Sequence, residues 1–228
     1  ALNEILKFKS EKAISAAIVK IAPHISTLQI KSMLSYVDKI KIDEYRSRAM
    51  LGLSPYILDP LKKEEIIGES WKIFRKIDPN HLGVDILAEI ISTLPVRVLD
   101  EALEITRSIQ DDGSRGFLLA KLAHRFSEPL KKELLIEALF SARKDQWEVE
   151  YESDRPAAFT ELAPELSKFP ADILYPLWSE MLQILAHHKR DDLLGDLLAL
   201  TPVILALGGQ EALEETARAI QDVGRWWP

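Results

Sequence analysis

Apolar residues cluster along this chain at helical spacing, and the clusters themselves recur. Leu118, Leu119, Leu122, Ala123 and Phe126 fall at i, i+1, i+4, i+5 and i+8, a broad apolar stripe at the helical period. Leu130, Leu134, Leu135, Ala138, Leu139 and Ala142 then predict a second helix with one buried face. Upstream, Val98, Leu99, Ala102, Leu103, Thr106 and Ile109 form the same kind of second helix. A short phrase, loosely Leu-x-x-Leu-small-Pro-x-Leu, makes the second half of each first helix. Its copies begin at residues 18, 50, 87, 119, 159 and 197, so the spacing runs from 32 to 40 residues. That period marks stacked helical hairpins, whose units cannot bury their apolar faces alone. The expected fold is all-α, an α-solenoid of about six helical hairpins forming a TPR- or HEAT-like superhelix. It is expected as a single helical-repeat domain over residues 1–228, with units near 10–42, 43–78, 79–111, 112–147, 148–189 and 190–228.

The punctuation between helices sharpens this. Pro23, Pro55, Pro164 and Pro202 fall inside the phrase, each after a small residue. Proline lacks an N–H and crowds the preceding turn, which predicts kinked or tightened last turns there. The third and fourth copies lack proline, so their first helices are expected to end regularly. Acids with an Arg close behind recur between units: Asp43 with Arg46, Asp112 with Arg115, and Asp154 with Arg155. Asp112 or Ser114 is placed to cap a helix, and the Arg residues to reach acids on a neighbouring helix such as Glu101, Glu104 or Glu137. The longest departure from the repeat, Lys144 to Pro156, adds acids and aromatics to a loop. The last unit is apolar on more than one side through Leu193, Leu194, Leu197, Leu198 and Leu200. Gly208 and Gly209 mark a turn within it, and Gly224 a helix stop.

Composition removes several function classes. The net charge of −7, with Lys and Arg interleaved among acids, argues against a nucleic-acid surface. Absence of cysteine removes disulfides, thiol catalysis and Cys-ligated zinc, and fits a cytoplasmic protein. The apolar run from Leu193 to Leu207 is broken by Asp196, Thr201 and Pro202, so no membrane span is expected. His187 and His188 are adjacent and point about 100° apart on a helix, which makes them poor joint metal ligands. No nucleophile elbow and no phosphate-binding loop occurs, so no catalytic, metal or cofactor residues are assigned and the chain is not expected to be an enzyme. The aromatics are the better candidates. Trp71, Trp147, Tyr151, Tyr175 and Trp178 fall on second helices or the turns after them, where the concave face of a solenoid lies, and Trp226 and Trp227 end the chain. Core packing for Trp71 and Trp178, and end-capping for Trp226 and Trp227, are the alternatives.

The periodic pattern resembles the C-terminal helical repeats of bacterial STAND NTPases, the signal-transduction proteins of NACHT or NB-ARC type. Residues 42–49, residues 101–111 and, most sharply, Leu193 to Pro228 carry the resemblance; in the last stretch Thr201, Pro202, Gly208 and Gly209 lead to Gln221, Asp222, Gly224 and Arg225. In that family an effector and an NTPase accompany a C-terminal sensor, which binds a trigger and relieves autoinhibition. The resemblance implies that this chain is the sensor alone, with a protein trigger or neighbouring domains of the same polypeptide as partners. The Walker-type loop being absent, ATP binding is not implied. A constitutive helical-repeat scaffold is the alternative function, and a helical-repeat enzyme the next.

Overall fold

Helices begin where a polar side chain can take up the free N–H groups of the first turn. In a computed structural model describing residues 10–78, 82–142, 155–187 and 189–226, Ser10 caps helix α1 (Glu11–Ile21), accepting from the Ala13 amide. Asp59 caps α4 (Pro60–Phe74), accepting from Leu61 at 3.0 Å and Lys62 at 3.3 Å, and Pro60 supplies a first residue with no N–H to satisfy. Between them lie α2 (Thr27–Val37), with a Ser26–Gln29 capping box, and α3 (Asp43–Leu53). Helices α5 (Leu82–Ile90) and α6 (Leu99–Arg107) follow. The C-terminal half holds α7 (Asp112–Ala123), α8 (Leu130–Ala142), α9 (Arg155–Leu166), α10 (Ala171–Leu185), α11 (Arg190–Ala199) and α12 (Thr201–Trp226). The described residues contain no β-strand, so the chain is all-α there.

They fall into two compact units, one up to Ser108 and one from Ile109. In the first, α1 packs on α3 and α3 on α5, while α2 and α4 each pack on α3. Its core gathers Ile18, Met33, Val37, Ala49 and Leu53. In the second unit α7 pairs with α8, and α9 packs on both and on α11. Leu118, Leu119, Leu122, Leu134 and Phe159 are fully buried there.

Several local expectations change. The cap of α7 is Asp111, which accepts from the Ser114 amide at 2.6 Å, and Asp112 lies inside the first turn. Pro23 and Pro55 do sit in tightened 3-10 turns, Ala22–His24 and Ser54–Tyr56. The third copy also ends in such a turn, Ile91–Thr93, without proline, where Thr93 Oγ1 donates to the Ile90 carbonyl at 2.8 Å. A hydroxyl that takes up a terminal carbonyl thus accompanies the same ending. Pro164 stays inside α9, and Pro202 starts α12 rather than ending a helix. Gly224 does not stop α12, which continues to Trp226.

The polar ties of these arginines also differ from the simplest sequence expectation. Arg46 pairs with Asp43 on its own helix (2.5 Å), and Arg115 with Asp112 on its own. Arg115 also donates to the Ile109 carbonyl at 2.6 Å and to Ser141 Oγ on α8 at 3.3 Å. Arg48 with Glu89 ties α3 to α5, and Lys121 with Glu161 ties α7 to α9 at 3.0 Å.

Glu165 on α9 is held by two lysines, Lys131 and Lys168. Burial raises its pKa, but hydrogen bonds and charge from Lys131 (2.7 Å) and Lys168 (2.5 Å) outweigh this and lower it from 4.5 to about 2. The folded value lies below the unfolded one, so the contribution to stability is complete above the ordinary carboxylate range and is lost as pH falls from about 4.5 towards 2. Glu165→Gln is expected to lower the melting temperature at pH 7, and the gap from the parent protein is expected to narrow as pH falls below 4.5 and to close only at about pH 2. Thermal melts of both proteins across that range check this.

Candidate recognition groove

The last unit is shaped by two breaks in its helices. Between α11 and α12 the axis turns by 77°, and the short limb 201–207 buries Val203 and Ile204 on one side and leaves Leu205 exposed. Gly208 and Gly209 then leave helical geometry, at φ −148°, ψ 17° and φ 64°, ψ −159°. The second pair of angles belongs to a region that is essentially glycine-only. A Cβ at Gly208 would lie 2.6 Å from the Ala212 Cβ, so neither position accepts a larger residue in this geometry. The second limb, residues 210–226, runs back until Gly224 reaches the guanidinium of Arg190 at the start of α11.

This return leaves a groove of about 840 Å³ between α10, α11 and the second limb. Helix α10 contributes Tyr175 and Trp178, and α11 contributes Leu194 and Leu197. The limb presents Ala212, Thr216, Ala219, Ile220 and Val223, spaced i, i+4, i+7, i+8 and i+11, one face of a helix. Tyr175 is 65% exposed and Val223 62%, while Trp178, Leu194 and Ile220 are half-buried. The lining is apolar apart from the Tyr175 and Thr216 hydroxyls, the Trp178 indole N–H, Lys189 and Arg190. Its two charges are both positive and adjacent, and no acid lines it.

Of the aromatics singled out by sequence, the groove brings together Tyr175 and Trp178. Trp71 is 4% exposed in the N-terminal unit, stacked on Phe74 with centroids 5.2 Å apart, and its indole N–H donates to Glu101. It is part of that unit's core. Trp147, Tyr151 and Trp227 lie outside the described residues, as does the side chain of Trp226. The residues that the aromatic criterion missed are the leucines of α11 and the small-residue face of the second limb. Their signal was the all-round apolarity of the last unit together with the stripe from Ala212 to Val223.

No single described helix is long and apolar enough to cross a membrane; α11 and α12 pass that test of length and composition only as a bent pair. No group of three His, Asp or Glu among the described residues is placed to hold a metal ion. Compared with known proteins, the chain matches no family model, no curated protein and no solved structure. The groove therefore has to be interpreted from its own geometry.

The kink glycines give a direct handle on it. In Gly209→Ala the observed backbone costs about 1–3 kcal/mol, whereas a continued helix gains from alanine. The second limb is expected to leave its place, raising amide exchange across residues 210–226. Hydrogen–deuterium exchange by mass spectrometry measures this, with Gly195→Ala, a helical glycine with open space at its Cβ, as the comparison that is expected to leave exchange across 210–226 unchanged.

Proposed function

We propose that this chain is a protein–protein recognition module, built of about six helical-hairpin repeats as an α-solenoid, with the C-terminal groove as its principal surface. In this proposal it is the ligand-sensing and autoinhibitory C-terminal region of a bacterial STAND-type signalling protein. One observation carries the recognition role: three helices converge on a groove of apolar side chains left open to solvent. Exposed apolar area costs on the order of 25 cal/mol per Å² relative to burial, so a covering partner gains that much before its own ordering costs. Binding rather than turnover is supported by the lining, which offers two cations and no acid to serve as an acid–base pair. Switching follows if the groove's occupant contacts it in one state of the parent protein and leaves it in another, since only differential contacts shift such an equilibrium. A constitutive scaffold would use the same groove without a second state.

The test is the complete reading frame. It is expected to encode a nucleotide-binding domain, and this chain, supplied as a separate polypeptide, is expected to associate with that domain and lower its basal ATP hydrolysis. Leu194→Glu, which sets a charge among apolar walls, is expected to weaken the association about tenfold or more at an unchanged melting temperature. A reading frame without such a domain would sink the sensor role and leave the scaffold. Association indifferent to Leu194→Glu would remove the groove from the account.

A further inference from the structure

The open side of the groove has the form of a site lacking one helix. Along the second limb, Ala212 to Val223 spans 11 residue steps, about 17 Å of helix or roughly three turns. Ala212, Thr216 and Ala219 are small, so a helix lying against them approaches to the usual 8–10 Å between axes and sets larger side chains into the gaps. A stripe of this kind is what a helix buries against another helix, yet here Ala219 and Val223 are exposed. The charges then give the site a direction. Lys189 and Arg190 stand together at the end where the limb meets α11, in a chain whose net charge is −7. Asp191 and Asp192 follow in the first turn of α11 but do not line the groove. The exposed acids of the limb, such as Glu211, Glu214, Glu215 and Asp222, are also outside the lining.

We infer that the occupant is an amphipathic helix of a partner protein, about three turns long, apolar on one face and acidic at its C-terminal end, which lies on Lys189. This rests on the recognition role proposed for the groove and adds the chemistry of the partner. Acidic side chains and the negative end of the helix dipole both favour that direction. A small anionic amphiphile fits less well. Small-molecule sites bury most of their ligand, whereas this groove is open along its side and its rim residues Tyr175 and Val223 are mostly exposed.

Two fluorescein-labelled peptides of about 16 residues test this on the full chain, each with leucines along one helical face. One ends in two glutamates and the other in two lysines. The acidic peptide is expected to bind saturably, at least about tenfold more tightly at low salt than the basic one. Lys189→Glu is expected to narrow or invert that preference. It is the variant of choice because Arg190 stands beside Gly224 and already has an interaction within the chain. Leu194→Glu is expected to abolish binding of both peptides. Equal binding of the two, still abolished by Leu194→Glu, would overturn the acidic end and leave the recognition role standing. Failure of both peptides beside saturable binding of dodecanoate would overturn both the helix and the protein partner. A dimer in sedimentation that Leu194→Glu dissolves would replace the foreign helix with a second copy.

Discussion

Gly116→Val is expected to unfold the C-terminal unit at temperatures where the parent protein is stable. Gly116 lies in the middle of α7, where that helix crosses α8. A Cβ there would stand 2.8 Å from the Ala142 amide nitrogen, 2.9 Å from the Ala138 carbonyl oxygen and 3.0 Å from the Ala142 Cβ. Two of the three obstacles are backbone atoms within a helix, so no rotamer change relieves the clash and α8 has to move as a body. Overpacking of this kind costs about 1–3 kcal/mol and more when the backbone is forced aside. Domains hold only about 5–15 kcal/mol in total. Gly116→Ala is expected to show a smaller loss of the same sign. Gly68→Ala gives the contrast, for that glycine is also inside a helix but has nothing within 4 Å of the added Cβ. There alanine's better helix propensity is expected to stabilise by up to about 1 kcal/mol. Urea titrations of the three variants decide it, and an unchanged midpoint for Gly116→Val would refute the close crossing of α7 and α8.

Phe159→Ala is expected to cost about 3–5 kcal/mol, the usual range for removing a fully buried phenylalanine. Phe159 is 0% exposed and is the largest of the completely buried side chains. It sits on α9, which packs against α7 and α8 on one hand and α11 and α12 on the other. The cavity left behind therefore loosens the support of the groove as well as the core. Chemical denaturation gives the first effect. The second is read as faster amide exchange in α11 and α12 under conditions where most molecules remain folded. A loss below about 1 kcal/mol would mean that α9 does not occupy the centre of this unit.

Much of the helical plan was legible in the sequence because its cause is local. The stripe from Leu118 to Ala123 and its counterpart from Leu134 to Ala142 are buried as their spacing predicts. Asp59 with Pro60, and Ser10, start helices for reasons contained within four residues. Gly208 and Gly209 marked a break for the same reason, since few residues other than glycine accept those angles. Where two local solutions were close, the choice was less legible. Asp111 and Asp112 are equally able to cap α7 by residue type, and only the built first turn assigns Asp111 to the Ser114 amide and Asp112 to Arg115.

The tertiary structure decided what depends on partners distant in the chain. Trp71 and Tyr175 look alike at helical spacing, yet one is enclosed by Phe74 and Glu101 while the other faces solvent at the groove. Arg48 and Glu89 are 41 residues apart, and no local pattern selects that pair from the many charges available. The groove depends on direction above all. The sequence alone determined that the last unit has more apolar faces than one helix pair can cover, and that it bends at the two glycines. Only the folded chain decided that the second limb returns to Arg190 and leaves those faces open between α10, α11 and α12. Helical periodicity is set by the backbone within a few residues, whereas the path of a limb after a flexible break is set by what it packs against.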